Sequence, residues 1–167
     1  MDGRPYVRAG SLADCLEVAR NISFPDRAEI MAAVGTGPEA ALHYCFLMSF
    51  RCWSVVYEGR CVFVFGLSRE DWKWVTPWAF STPEVSHFPV AFLKGSRSVA
   101  ARLFARYPYM RSRVDARHEK SIAWLRFMGF TLGKPQPYGV YGMDFIPFFP
   151  IRRRRFRWVW LRRRPFP

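Results

Sequence analysis

The run "CWSVVYEGRCVFVFGLS", residues 52 to 68, constrains the fold more than any other stretch of the chain. Two segments rich in Val, Phe and Tyr flank Glu58-Gly59, and a two-residue connection of that kind makes the flanking strands pair as an antiparallel hairpin. The segments around it read as helices and further strands. "YVRAG" at residues 6 to 10 is a short alternating strand. Ser11 N-caps a helix through "SLADCLEVARNI", whose Leu12, Cys15, Leu16 and Ala19 share one face. "FPDRAEIMAAVGTG" is a second helix closed by glycine, and Pro38 opens a third, "PEAALHYCFLMSF", at a tolerated first-turn position. After the hairpin, "WKWVTPWAFST" is a third central strand and "SRSVAARLFARYP" an amphipathic helix.

The stretch from Met110 to Phe130 then reads as strand, helix and stop. Met110 to Asp115 alternate, and the apolar members of Glu119, Ser121, Ile122, Trp124, Leu125 and Met128 recur at three- and four-residue steps. Gly129 takes the left-handed position that ends helices, and Phe130 folds back over the last turn. "TLGKPQPYGVYGMDFIPFF" closes the body as a turn-rich pair of short strands. No internal repeat is visible.

At 167 residues, half of them apolar, the chain has the material for one domain with one core. Cys15, Cys45, Cys52 and Cys61 form no CxxC pair and the three histidines are scattered, so neither a zinc ribbon nor a disulfide scaffold is indicated. Arg51, Glu58 and Arg60 interrupt the longest apolar region, which excludes an unbroken span of membrane length. The net charge of +13 is unevenly placed. Eight of the 26 basic residues and none of the 13 acidic ones lie between residues 152 and 164. The expected division is a globular domain over residues 1–149 and a basic, aromatic tail over residues 150–167.

The order of elements over roughly residues 5 to 147 resembles the GCN5-related N-acetyltransferase (GNAT) fold, an α/β architecture with a mixed central sheet flanked by helices. In that family the strand and helix before the last hairpin commonly read V-x-x-x-N-x-x-A-I-x-L-Y-x-x-x-G-F. Val114, Ser121, Ile122, Trp124, Leu125, Gly129 and Phe130 fall on the same spacing, with His118 where Asn is usual. The opening "YVRAGSLADCLEVA" is also similar, a strand carrying Arg followed by a helix containing Asp. The resemblance implies that acetyl-CoA pyrophosphate would meet backbone N–H groups at a helix N-terminus. The nearest match to the family's Q/R-x-x-G-x-G/A loop is Gly95, Ser96, Arg97, Ser98, Val99 and Ala100, in which only Ala100 conforms, with Lys94 beside it. Leu125 stands where many members place the tyrosine that protonates the departing thiolate, and leucine has no proton to give. Glu84 and His87, near the third-strand exit, read as solvated loop residues, and His87 and His118 have no carboxylate partner identifiable in sequence. The expectation is therefore a kept fold with no catalytic residues and no cofactor. Acetyl-CoA belongs to the alternative of an active N-acetyltransferase.

"SFPDRAEIMAAVGTGPEAAL", "CWSVVYEGRCVFVFGLS", "PWAFSTPEV" and "VDARHEKSIAWLRFMGF" are together similar to the internal virion protein A group of short-tailed phages, whose members carry an acetyltransferase-like domain without an established reaction. Asp26, Glu29, Ile30, Cys52 and Trp53 carry most of that likeness. It implies a virion protein made in the host bacterial cytoplasm, assembled as an oligomer with core, portal or tail components. The tail, Arg152, Arg153, Arg154, Arg155, Phe156, Arg157, Trp158, Trp160, Arg162, Arg163 and Arg164, is expected to dock on a neighbouring subunit or on packaged DNA. Membrane contact during ejection is the remaining option, because Arg and Trp interleave there as in interfacial peptides. Trp53, Trp72, Trp74, Trp78 and Trp124 read as packing residues, His43 as a core or boundary histidine, and Asp115 with Arg117 as a pair across the sheet edge.

Overall fold

The computed structural model describes residues 3–150. In chain order the elements are β1 (Tyr6–Ala9), α1 (Leu12–Arg20), α2 (Phe24–Val34), α3 (Pro38–Met48), β2 (Ser49–Tyr57), β3 (Arg60–Arg69), β4 (Val75–Ser81), a 3₁₀ turn (Pro83–His87), α4 (Pro89–Arg106), β5 (Ser112–Asp115), α5 (Glu119–Met128), β6 (Phe130–Leu132), β7 (Gln136–Tyr138) and β8 (Met143–Pro150). This is the mixed α/β architecture expected from the sequence, with two departures. Helix α4 begins at Pro89, well before Ser96, because proline suits a helical first turn and Gly95 is tolerated in a helix interior. The closing region holds three strands, and the last of them is the centre of a second sheet.

The hairpin forms around Glu58 at φ 50° and Gly59 at φ 79°, both left-handed, the backbone of a turn whose twist matches the flanking strands. Val56 faces Cys61 and Val55 faces Phe63, so Val62 is an extra residue, a bulge that changes the alternation of β3. Cys61 and Val64 consequently pack on Cys15, Val18, Ile30 and Leu42 of the first three helices. Val55 and Phe63 pack on Phe88, Phe92 and Trp124 from the opposite side. Both faces of the sheet are thereby covered.

The strands form two sheets, ordered β1-β2-β3-β4 and β5-β8-β6, with β7 paired to β8. They meet at a single parallel bridge between Val75 and Met110. Two hydrogen bonds make it, Val75 N–H to the Tyr109 carbonyl at 2.9 Å and Arg111 N–H to the Val75 carbonyl at 3.0 Å. Beyond that point β4 and β5 do not pair. At the other side of the first sheet, Arg8 of β1 grips Asp14 of α1 with bonds of 2.7 and 2.6 Å, and Ser54 adds a third at 3.0 Å. Burial works to raise the Asp14 carboxyl, but hydrogen bonds from Arg8, Ser11 and Ser54 outweigh it and hold it at about 2.

Pro150 is buried and pairs with Phe130, so it belongs to β8. The tail residues expected to dock, Arg152 to Arg164, lie outside the described residues. No helix among those described is long and apolar enough to cross a membrane. Because the first turn position of the hairpin carries Glu58 where Asn relieves the left-handed cost, Glu58→Asn should stabilise the domain by about 0.5–1 kcal/mol. Thermal unfolding beside the unsubstituted chain measures this.

Candidate functional site between β4 and β5

Val75 faces β5, so by the two-residue alternation Pro77, Ala79 and Ser81 face it too. On the other side, Arg113 and Asp115 turn their N–H groups away from β8 and toward β4. These edges would be orphaned wherever the strands separate, and helix α2 supplies partners at the wide end. Ser81 donates its N–H and its hydroxyl to Oδ2 of Asp26, at 2.8 and 2.7 Å. Asp115 donates its N–H to Oε2 of Glu29 at 3.1 Å. Two carboxylates three residues apart share a helix face, and here they take the place of the missing ladder.

Between the bridge and these carboxylates lies a cavity of about 340 Å³, walled by Phe63, Phe92, Ala100, Trp124 and Leu125, with Glu29 at its lining. Pro77 has no N–H to offer it. The N–H groups of Ala79 and Arg113 point into the gap and have no backbone or side-chain partner among the described residues. The cleft is thus an apolar slot edged by strand donors, a shape suited to an extended, amide-bearing ligand.

Charge is concentrated at the wide end. Nε2 of His118 lies 2.8 Å from Oδ1 of Asp26 and 3.1 Å from the Ser121 hydroxyl. Serine and aspartate meet the same ring nitrogen, so the imidazole cannot relay a proton between them as a hydrolase triad requires. The other nitrogen accepts the Ser121 N–H at 3.4 Å and caps α5, the task an asparagine would perform there. Burial lowers the affinity of His118 for its proton, but the hydrogen bond to Asp26 and the charges of Asp26, Glu29 and Asp115 prevail and raise its pKa. Glu29 behaves oppositely to an ordinary surface acid. Burial pushes its carboxyl up to about 7, against the pull of the Asp115 N–H and His118. No three His, Cys, Asp or Glu side chains among the described residues are grouped to hold a metal ion.

The loop expected at Gly95, Ser96, Arg97, Ser98, Val99 and Ala100 is not a loop. All six residues lie inside α4, where their N–H groups are used within the helix and cannot cradle an anion. Gly95, Ser96, Val99 and Ala100 line the cavity instead, and Ser96 accepts the Trp124 indole N–H at 3.0 Å. Arg97 lies over the Phe127 ring. Leu125, the position at which the sequence resemblance expects a proton donor, is buried in the cavity wall. Glu84 and His87 sit on the 3₁₀ turn and do not line the cavity. His118 does have a carboxylate partner, Asp26, which sequence could not reveal across so long a separation. Asp115 and Arg117 pair within one turn rather than across strands. His43 is exposed, and so is Trp72, whose side of the sheet end is open to solvent.

No protein-family model matches the chain, and no curated protein matches it in sequence. The architecture does match solved structures. An N-acetyltransferase from Staphylococcus aureus Mu50 superposes with a TM-score of 0.65 at 13% identity, covering 87% of this chain and 96% of that one. A GNAT-family acetyltransferase from Bacillus anthracis gives 0.61 at 13%, covering 87% and 93%. A phosphinothricin acetyltransferase from Sinorhizobium meliloti, solved in complex with acetyl-CoA, gives 0.60 at 18%, covering 86% of each chain. The fold is that of the GCN5-related N-acetyltransferases.

Glu29→Gln separates the structural role of this carboxyl from its charge, because glutamine still accepts the Asp115 N–H but cannot ionise. With its folded-state pKa raised from 4.5 to about 7, Glu29 contributes stability below the lower value and loses it as pH rises through the upper one. The variant should therefore gain on the unsubstituted protein between pH 5 and pH 8, by up to ~3 kcal/mol. Melting temperatures at the two pH values test the sign.

Proposed function

We propose that the chain is a structural component of a short-tailed phage virion, built on an acetyltransferase fold that no longer transfers acetyl groups. The observation that carries this reading is the pairing of a buried Leu125 at the proton-donor place with a helical Gly95 to Ala100 segment whose amides are already bonded. Thiolate expulsion has no acid there, and the pyrophosphate has no cradle in that segment. Residues that carry the likeness to the virion group are also in scaffolding positions. Asp26 and Glu29 hold the split edges of the sheet, Ile30 and Cys52 pack in the core, and Trp53 stacks on Phe65 at 5.2 Å. A domain of this kind serves by its shape, docking on core, portal or tail components after synthesis in the host bacterial cytoplasm. Its arginine-rich end would anchor it to a neighbouring subunit or to packaged DNA.

A second reading, an active acyltransferase, is favoured by one group of observations. The unpaired N–H groups of Ala79 and Arg113 and the apolar slot between them fit the pantetheine arm of acetyl-CoA. Glu29, with a carboxyl at about 7, is suited to take a proton from an amine near neutral pH. Acetyl-CoA would supply the thioester, and this chain would contribute strand-edge binding and the base.

Assays of acetyl transfer to polyamines, aminoglycosides and lysine peptides distinguish the two. The expected result is no turnover above background, in the unsubstituted protein and in Leu125→Tyr alike. Turnover that rises through pH 7 and is abolished by Glu29→Gln would establish the enzyme instead. Absence of the protein from purified particles by mass spectrometry would remove the virion role.

A further inference from the structure

At the end of the first sheet opposite the Asp26 and Glu29 carboxylates, the starts of β2 and β4, the end of β3 and the end of α4 converge on a groove of about 360 Å³. Arg51, Arg69, Lys73 and Arg106 contribute its cations, and Phe50, Trp72, Tyr107 and Tyr109 its rings. None of the four cations has a salt bridge to a carboxylate among the described residues. The acids nearest in sequence are committed elsewhere. Glu70 is held by two bonds from Arg111, at 2.8 and 2.7 Å, and Asp71 accepts the backbone N–H groups of Lys73 and Trp74. Neither lines the groove.

Rings rather than carboxylates position three of these cations. The Arg69 guanidinium lies 5.0 Å from the Phe50 ring centre, the Lys73 ammonium 4.8 Å from Tyr109 and the Arg106 guanidinium 5.6 Å from Tyr107. A cation held over a ring face keeps its hydrogen-bond donors unspent. Beside them Trp72 is 86% exposed, presented by a loop that Asp71 ties to its own backbone. So large an aromatic surface in water, at the rim of an uncompensated cationic groove, is in the wrong place for packing.

We infer that this groove binds single-stranded nucleic acid, with a base stacked on Trp72 and neighbouring phosphates on Arg51, Arg69, Lys73 and Arg106. Alternation of free cations with an exposed ring is what a single strand requires, since every base has a π-face and every link a negative charge. A duplex hides its bases and leaves Trp72 without a partner. The site is separate from the β4–β5 cleft and does not depend on how that cleft is used.

The test uses the full chain and a fluorescein-labelled thymidine oligonucleotide of about 15 nucleotides, followed by anisotropy across a salt series. The arginine-rich end supplies a constant background, so the result is read as differences between variants. Trp72→Ala should weaken binding about ten-fold with little change in salt dependence. The pair Arg69→Gln and Arg106→Gln should flatten the log–log salt slope by about 1.4, at ~0.7 per lost phosphate contact on a single strand. Arg20→Gln with Lys120→Gln removes the same charge from α1 and α5 and should change the slope far less. Tighter binding of the thymidine strand than of a uridine strand assigns DNA, and the reverse assigns RNA; either upholds the site. Unchanged binding by Trp72→Ala and the arginine pair, an equal loss in the α1 and α5 control, or equal competition by polyglutamate would overturn it.

Discussion

The structure depends on what happens where two parallel strands stop pairing. β4 and β5 share one bridge at Val75 and Met110, and past it each exposes a row of backbone groups toward the other. Buried backbone donors without partners cost on the order of 1–3 kcal/mol each, so a split sheet survives only if something else answers them. Asp26 and Glu29 do this for Ser81 and Asp115. In doing so they fix α2 across the wide end of the split, and Ile30 on the same helix then reaches the core beneath β3. The cavity is the remainder, the part of the gap that α2 does not reach.

Glu29 has a second consequence for chemistry. One of its oxygens is used by Asp115, and the carboxyl is pushed up to about 7 by the same burial that makes it effective as a strand partner. A group in this position is a natural base for an amine, but it cannot leave its post without exposing the β5 edge. Structural and catalytic demands on one side chain therefore conflict.

Local signals made most of the fold legible. The left-handed turn was written in Glu58-Gly59, the α1 start in Ser11, and the α5 stop in Gly129 at φ 97°. Where sequence misled, the cause was non-local or was a helix boundary. Nothing near Gly95 marks it as helix interior, because the signal is Pro89, upstream of the resemblance that drew attention to the loop. The length of β8 was hidden by its prolines, which read as turns although the strand carries three partners. The site was less legible still. Asp26 and Glu29 were visible as acids early in a helix, but their partners Ser81, Asp115 and His118 lie 55 to 92 residues away in sequence. Trp72 was read as packing from an alternation that the loop after β3 does not continue.

Strand β4 connects the two ends of this surface. Its seven residues span ~20 Å from Val75, beside the cationic groove, to Ser81, held by Asp26. The groove end carries Arg51, Arg69, Lys73 and Arg106, and the other end Asp26, Glu29 and Asp115, with His118 against Asp26 and Arg117 paired to Asp115. At that separation, twice the ~10 Å screening length of roughly 0.1 M salt, the two ends act as separate local fields. An anion arriving from solution is drawn to the narrow end, where no carboxylate among the described residues pairs with the cations. The mouth of the cleft at Glu29 is instead matched from within, its acids met by Arg117, His118 and the backbone N–H groups of Ser81 and Asp115. One strand thus separates a matched cluster of acids and bases from a groove whose cations are held by rings.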